Sequence, residues 1–186
     1  MRASSEQRPA PWIEGRRVSL YPPSPADELA YLALNQASAA HYGEWVSPPT
    51  TSEQYAAYLE RAALPQSACC LIVRRSDGAV LGAVNLSQII RGPLQQAFMG
   101  YHIGAPFAGQ GYASEGVGLA LELAFARLEL HRVEANIQPG NTPSIALVQR
   151  LGFTREGFSQ RYLFIAGAWR DHERWAMLAE DWKKHS

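Results

Sequence analysis

Ala108-Gly109-Gln110-Gly111-Tyr112-Ala113-Ser114-Glu115 joins a strand-like run to a helix-like one. Gly109 and Gly111, one residue apart, permit positive φ and let successive backbone N–H groups converge on one point. A helix begun there adds about half a unit of positive charge at its N-terminus. Together these features make a cradle for phosphate oxygens built from main chain, without a lysine. Ala113, with almost no side chain, keeps the cradle open. A phosphate loop ending in Gly-Lys-Ser/Thr is excluded, because that sequence is absent. A dinucleotide-binding turn needs a parallel strand before its glycines and an acid about 20 residues later. Here the preceding run reads as the last of three antiparallel strands. On the glycines alone, an ordinary tight turn remains the alternative.

Upstream, residues 68–75 (ACCLIVRR) and Val80–Ile90 (VLGAVNLSQII) are apolar and β-branched, with Asp77-Gly78 between them as a hairpin signal. Residues 97–103 (AFMGYHI) form the third strand. Earlier still, residues 16–21 (RRVSLY) read as a short strand, and Ser24-Pro25 opens a helix to about Ala39. A loop over residues 41–51 follows, then a helix capped by Ser52 and running to about Ala63, with Tyr55, Tyr58 and Leu59 on one face. Downstream of the turn, a long helix is predicted over residues 113–130, its inward stripe marked by Val117, Leu121, Phe125 and Leu128. A strand at Arg132–Ile137, a helix over residues 141–151 ended by Gly152, and two strands over residues 156–165 and 171–178 complete the chain. The order is that of an α/β (α+β) fold, a mixed and mostly antiparallel sheet with helices on both faces. Residues 1–11 read as a flexible arm and residues 12–186 as a single domain.

The 186 residues and 20.5 kDa suit one domain with a sizeable core. With 47% hydrophobic and 18% charged residues, the chain is not intrinsically disordered. Seventeen basic and seventeen acidic residues give zero formal charge and a pI near 7.0, which lacks the basic footprint of a nucleic-acid binder. Cys69 and Cys70 fall on opposite faces of a strand and read as buried apolar fillers, with no metal-ligand spacing about them. No apolar run reaches the length of a membrane span, and MRASSEQRPAPWIEG lacks a signal-peptide core, so the chain reads as cytoplasmic.

Residues 108–115 before a long helix, followed by Asn141-Thr142-Pro143-Ser144 and Leu151-Gly152-Phe153, resemble the GNAT superfamily of acyl-CoA N-acetyltransferases. More narrowly, residues 85–104 (NLSQIIRGPLQQAFMGYHIG), 150–157 (RLGFTREG) and 167–172 (GAWRDH) are similar to the ribosomal-protein-alanine N-acetyltransferases. Those enzymes acetylate the N-terminal α-amine of ribosomal proteins. The resemblance covers residues 18–182 and is most specific in the C-terminal half.

The resemblance implies a GNAT fold, with a seven-stranded sheet splayed at its centre between residues 98–103 and Arg132–Ile137. It implies acetyl-CoA as co-substrate. The pyrophosphate would lie on the backbone of Gly109, Gln110, Gly111, Tyr112 and Ala113, and the pantetheine arm would pair with His102 and Ile103. Asn141, a good N-cap on physical grounds, would also touch that arm. Ala108 stands where the family often has Arg or Gln, so one side-chain contact is expected to be missing and affinity weakened.

Ser144 shares a stripe with Leu147, Val148 and Leu151 and therefore points inward, where its hydroxyl needs a partner. Two roles stay open: a bond back to a main-chain carbonyl, or a proton for the departing CoA thiolate. Glu44 is either a solvated loop acid or a group reaching the acceptor amine, and Trp45 either core or a wall of the acceptor groove. Glu115 is expected to complement the helix dipole, and Asp171 to hold a turn. Arg161 stands where a related enzyme type has an acid, which leaves the general base unassigned.

The leading expectation is direct attack by the N-terminal amine of a peptide or protein, a ribosomal protein among the candidates. A small-molecule amine, drug or polyamine, and a non-catalytic CoA-binding module are the alternatives. No metal, nucleic acid or membrane is implied, and a homodimer stays open.

Overall fold

A computed structural model describes residues 8–183. Among them eight strands form one sheet in the order β1-β2-β3-β4-β5-β6-β8-β7: β1 Ile13–Glu14, β2 Val18–Tyr21, β3 Ala68–Arg74, β4 Val80–Ile90, β5 Gln96–Ile103, β6 Arg132–Ile137, β7 Thr154–Ile165 and β8 Ala168–Leu178. The eighth strand beyond the expected seven is β1. Its two residues are too short to show alternation, and they fold back on β2 through a turn in which Gly15 N donates to Val18 O at 2.9 Å.

All neighbours are antiparallel except β5 and β6. That parallel pair joins only Gln96, Ala97 and Phe98 to Arg132, Val133 and Glu134. Past Phe98 the two strands part, as the resemblance implies, while β6 stays paired with β8 along its whole length. The parting leaves main-chain donors and acceptors of β5 free on that side, and buried ones need partners.

Among the described residues six α-helices cover the sheet: α1 Glu28–Ala37, α2 Ala39–Tyr42, α3 Ser52–Ala62, α4 Tyr112–Glu122, α5 Thr142–Arg150 and α6 Ala179–Trp182. Tyr31 and Leu32 of α1 and Tyr55 and Tyr58 of α3 pack on one face with Cys69, Leu71 and Val73. Val117 and Leu121 of α4 and Leu147 and Val148 of α5 pack on the other with Cys70 and Ile72. The two cysteines thus divide between the faces, both buried and free. No helix among the described residues is long and apolar enough to cross a membrane.

Three helices differ from expectation, each for a local reason. The helix predicted from Ser24 to about Ala39 is a 3-10 turn, Pro25–Asp27, then α1, then α2. It breaks at buried Ser38, whose Oγ accepts the amide of Ala105 at 2.9 Å. The cap of α3 is Thr51 rather than Ser52, since Thr51 Oγ1 accepts from Gln54 N at 3.3 Å. The long helix ends as α4 at Glu122 and continues as one π-helical turn, Leu123–Arg127. That wide turn slips the stripe: Leu123 and Ala124 are buried, while Phe125 and Leu128 are half-buried.

Of the expected arm, residues 1–7 lie outside the described residues. From Arg8 the chain is anchored: its Nε donates to Asp27 Oδ1 at 2.6 Å, and its guanidinium lies 5.3 Å from the Tyr21 ring centroid.

Candidate active site

Strand alternation along β5 sends Tyr101 and Ile103 toward α4 and α5, and His102 toward α1. Where β5 leaves β6, two cavities open. The first, about 540 Å³, is lined by His102, Ile103, Gly109, Gly111, Ala113 and Pro143 among others. The second, about 610 Å³, is lined by Gln88, Phe98, Asn136, Gln138, Tyr162 and His172 among others. Trp45, Val46, Tyr101, Asn141 and Ser144 line both, so the cavities meet at these five residues.

At the mouth of α4, Gly109 and Gly111 have φ of 72° and 80°, the left-handed region that favours glycine. Around the turn, Ala108 N donates to Ala105 O and Glu115 N to Gly111 O. Among the described residues, the amides of residues 109 to 114 between them donate to no main-chain oxygen. A Cβ on Gly109 would meet nothing within 4 Å. These free amides, the open face and the start of an 11-residue helix suit a diphosphate.

Arg17 braces the turn from behind. Its Nη1 donates to Gln110 O at 3.0 Å, its Nε to Glu115 Oε2 at 2.8 Å, and its guanidinium lies 4.7 Å from the Tyr112 ring centroid. Glu115 does more than complement the dipole, because its Oε1 accepts the amides of Arg17 at 2.6 Å and Val18 at 3.2 Å, stitching α4 to β2. Partial burial would raise its pKa, but these bonds and the Arg17 charge outweigh that and lower it. Gln110 and Tyr112 line neither cavity, which leaves main-chain contact as their route to a ligand. Ala108 lines the first cavity without a charge, and Arg150 at the end of α5 is the arginine in that lining.

His102 Nε2 lies 3.3 Å from Tyr31 Oη, and the ring meets Tyr42 edge-on with centroids 5.3 Å apart. Burial pushes its pKa down from 6.5 to about 4. The imidazole is therefore neutral at pH 7, and protonation costs the folded state more than the unfolded one. As pH falls from 6.5 to 4 the unfolded chain takes up the proton first, so stability falls over that window. The folded-state shift corresponds to about 3 kcal/mol. Urea unfolding at pH 7, 5.5 and 4 checks this: wild type should lose about 3 kcal/mol more than His102→Gln, and parallel losses would contradict it.

Where the cavities meet, Tyr101 Oη lies 2.6 Å from Ser144 Oγ, and either hydroxyl can donate. Ser144 O, 3.3 Å from Tyr101 Oη, is the alternative acceptor for the single phenol hydrogen. Burial pushes the Tyr101 pKa up to about 12 although the Ser144 hydrogen bond opposes it, so the phenol keeps its proton at neutral pH. Ser144 faces inward as its stripe implies, but its partner is this phenol. The Asn141 cap is present, with Oδ1 accepting from Ser144 N at 3.3 Å. Sequence reasoning passed over Tyr101, although a hydroxyl on the inward face of β5 carries the same signal as Ser144.

Trp45 is seated against Gly140, where an added Cβ would come 2.9 Å from its Cη2, and it walls both cavities. Glu44 is an exposed carboxylate in the loop before α3. It lines neither cavity, and Arg170 Nη1 holds its carboxylate at 2.8 Å. Its carbonyl accepts from Gln138 Nε2 at 2.9 Å. Asp171 is structural, accepting the amide of Arg161 at 2.7 Å and so holding Arg161 at φ 47° within a bulge of the β7–β8 pair. Next to it, His172 is buried and lines the second cavity, a placement the sequence reading did not single out.

A mixed sheet opened at its centre, with amides free for a diphosphate on one side and a second cavity across the gap, defines the class of acyl-CoA-dependent transferases. The pattern of the acetyltransferase (GNAT) domain matches residues 17–154, and the chain belongs to that family. It is 41% identical over 110 residues to the probable N-acetyltransferase YjcK of Bacillus subtilis strain 168, covering 59% of this chain and 61% of the relative. It is 37% identical over 103 residues to the ribosomal protein uS5-alanine N-acetyltransferase of Escherichia coli strain K12, covering 55% and 53%. The chain thus spans little more than half the length of the curated relatives it matches. The solved structure of Mycobacterium smegmatis RimJ in complex with CoA-disulfide superimposes with a TM-score of 0.81 at 29% identity, over 88% of this chain and 83% of that one.

Proposed function

We propose that the chain transfers an acetyl group from acetyl-CoA to the N-terminal α-amine of a peptide or protein, with a ribosomal protein as the preferred acceptor class. Acetyl-CoA supplies the activated acyl group, and the free amides of residues 109–114, Asn141 and the unpaired edge of β5 are the groups that would hold it. Trp45 and Val46 line both cavities at the point where these meet. Catalysis then consists of positioning the amine and handling two protons. With Tyr101 donating to Ser144 Oγ, the Ser144 hydrogen is free for the leaving sulfur.

The observation that favours an α-amine is the lining of the second cavity, which contains no Asp or Glu. A polyamine or polycationic drug carries several charges, and each would be desolvated there without a counter-ion. A peptide N-terminus brings one titratable amine followed by neutral main chain. The amide and hydroxyl side chains of Ser47, Gln88, Asn136 and Gln138 in that lining suit such a chain. Among the described residues Asn136 Oδ1 is buried with no hydrogen-bond partner, an acceptor that a peptide N–H would satisfy.

A panel of acceptors assayed with labelled acetyl-CoA tests the proposal. Peptides starting with alanine or serine should be acetylated at least tenfold more efficiently than spermidine, and N-blocked peptides carrying an internal lysine should not react. Faster transfer to spermidine, or transfer to no amine at all, would overturn it.

A further inference from the structure

We infer that His172 is the group that takes the proton from the acceptor ammonium, an inference that rests on the α-amine reading above. The second cavity offers few candidates. Its lining holds no Asp, Glu, Lys, Arg or Cys, and besides His172 the titratable side chains are the phenols Tyr101 and Tyr162. The acids and bases that could compete are engaged elsewhere. Glu44 is held by Arg170, and His102 lies on the α1 side against Tyr31.

Geometry sets the tautomer of His172. Its Nδ1 lies 2.9 Å from the carbonyl oxygen of Arg170, and a carbonyl only accepts, so Nδ1 carries the hydrogen. Nε2 therefore carries the lone pair, and it has no protein partner among the described residues. The ring is held in place by the pairing of His172 with Ser159 and by the edge of Tyr162, 6.1 Å away between centroids.

The groups around the imidazole come from three directions. Asp171 and Arg170 flank it on β8, with Arg170 drawn to Glu44 of the loop before α3. Tyr162 faces it from β7, and Asn136 and Gln138 share the cavity lining from β6 and the residue after it. Burial lowers the His172 pKa, outweighing the Arg170 carbonyl and the Asp171 charge, which raise it. At neutral pH the ring is an unprotonated acceptor. It is matched to an α-ammonium, whose ordinary pKa is about 8, far better than to an alkylammonium near 10.4. The base thus adds to the selection against polyamines and lysine side chains.

The step balances without a further reagent. The ammonium proton passes to Nε2, the freed nitrogen pair forms the bond to the acetyl carbon, and the carbon–sulfur bond breaks. The sulfur takes its proton from the Ser144–Tyr101 pair, the nitrogen sheds its second proton as the amide forms and that proton restores the pair by way of water, and the imidazolium releases the first to solvent. One ammonium and one thioester yield one amide, one thiol and one proton.

His172→Asn keeps a side-chain donor for the Arg170 carbonyl and removes the base. Its kcat on an alanine-starting peptide should fall about 100-fold at pH 7, with peptide KM and acetyl-CoA affinity within threefold of wild type. The wild-type rate should show an acidic limb below pH 6.5, whereas the variant should lose that limb and recover as the free amine fraction grows above pH 8. Unchanged kcat and an unchanged limb in His172→Asn would overturn the inference while leaving the acetyltransferase reading intact. Absence of transfer by wild type would instead remove the reading beneath it. Nitrogen NMR of the wild-type imidazole gives a check that needs no variant: a neutral ring protonated on Nδ1 at pH 7 is expected, and a charged ring or an Nε2–H tautomer would overturn it.

Discussion

Gly111→Asp should abolish acetyl-CoA binding while leaving the fold in place. Gly111 begins α4 with φ of 80°, beside the free amides of the turn. A carboxylate there faces a diphosphate across about 4 Å, where like charges repel by about 4 kcal/mol at an effective dielectric near 20. That corresponds to roughly a thousandfold loss of affinity. The left-handed backbone adds strain, which asparagine shares, since Asn and Asp tolerate this region equally. An added Cβ would also lie 3.2 Å from Arg17 Nη2, so both variants displace that guanidinium slightly. Gly111→Asn therefore isolates the charge. Calorimetric titration should show no heat of binding for Gly111→Asp and at most a tenfold loss for Gly111→Asn, with thermal midpoints alike. Equal affinities in the two variants would mean that no anion sits at the turn.

The second large effect is expected at the junction of the cavities. Ser144→Ala and Tyr101→Phe each remove one hydroxyl from a pair 2.6 Å apart. A proton donor to the leaving group is worth about 10² to 10⁴ in rate. Each variant should therefore lose two to three orders of magnitude in kcat and little in acetyl-CoA affinity. Because the hydroxyls act as one unit, the double variant should be no slower than about threefold below the worse single one. Losses that multiply in the double variant would show two independent roles. Normal kcat with a lowered melting temperature would show that the pair serves packing alone.

The parts of this molecule that read well from sequence are those set by neighbours in the chain. Arg132–Ile137 is a strand to the residue, because its alternation is complete and Asn141 and Pro143 bound the helix beyond it. The glycine turn is legible because only positive φ makes sense of Gly109 and Gly111. The splay between β5 and β6 comes with the family resemblance and is visible in the pairing as a ladder that stops at Phe98.

What depends on distant partners is not legible. Glu44 looks free in its loop, but the fold brings Arg170 against it. His172 faces the cavity through a β7–β8 register that shifts twice, and no alternation count within GAWRDH anticipates bulges in the facing strand. The slipped stripe of the long helix has a similar origin, since one π-helical turn at Leu123–Arg127 rotates every later residue. Tyr101 differs from these. Its inward position follows from simple alternation with Met99 and Ile103, and its role appears only when Ser144 arrives opposite it from α5.

A crystal structure with acetyl-CoA tests the central claim most directly. The account predicts the diphosphate on the amides of residues 109 to 114, the pantetheine arm along the unpaired edge of β5, and the thioester sulfur within hydrogen-bonding reach of Ser144 Oγ. A diphosphate bound away from the turn, or a thioester that never enters the gap between β5 and β6, would contradict it.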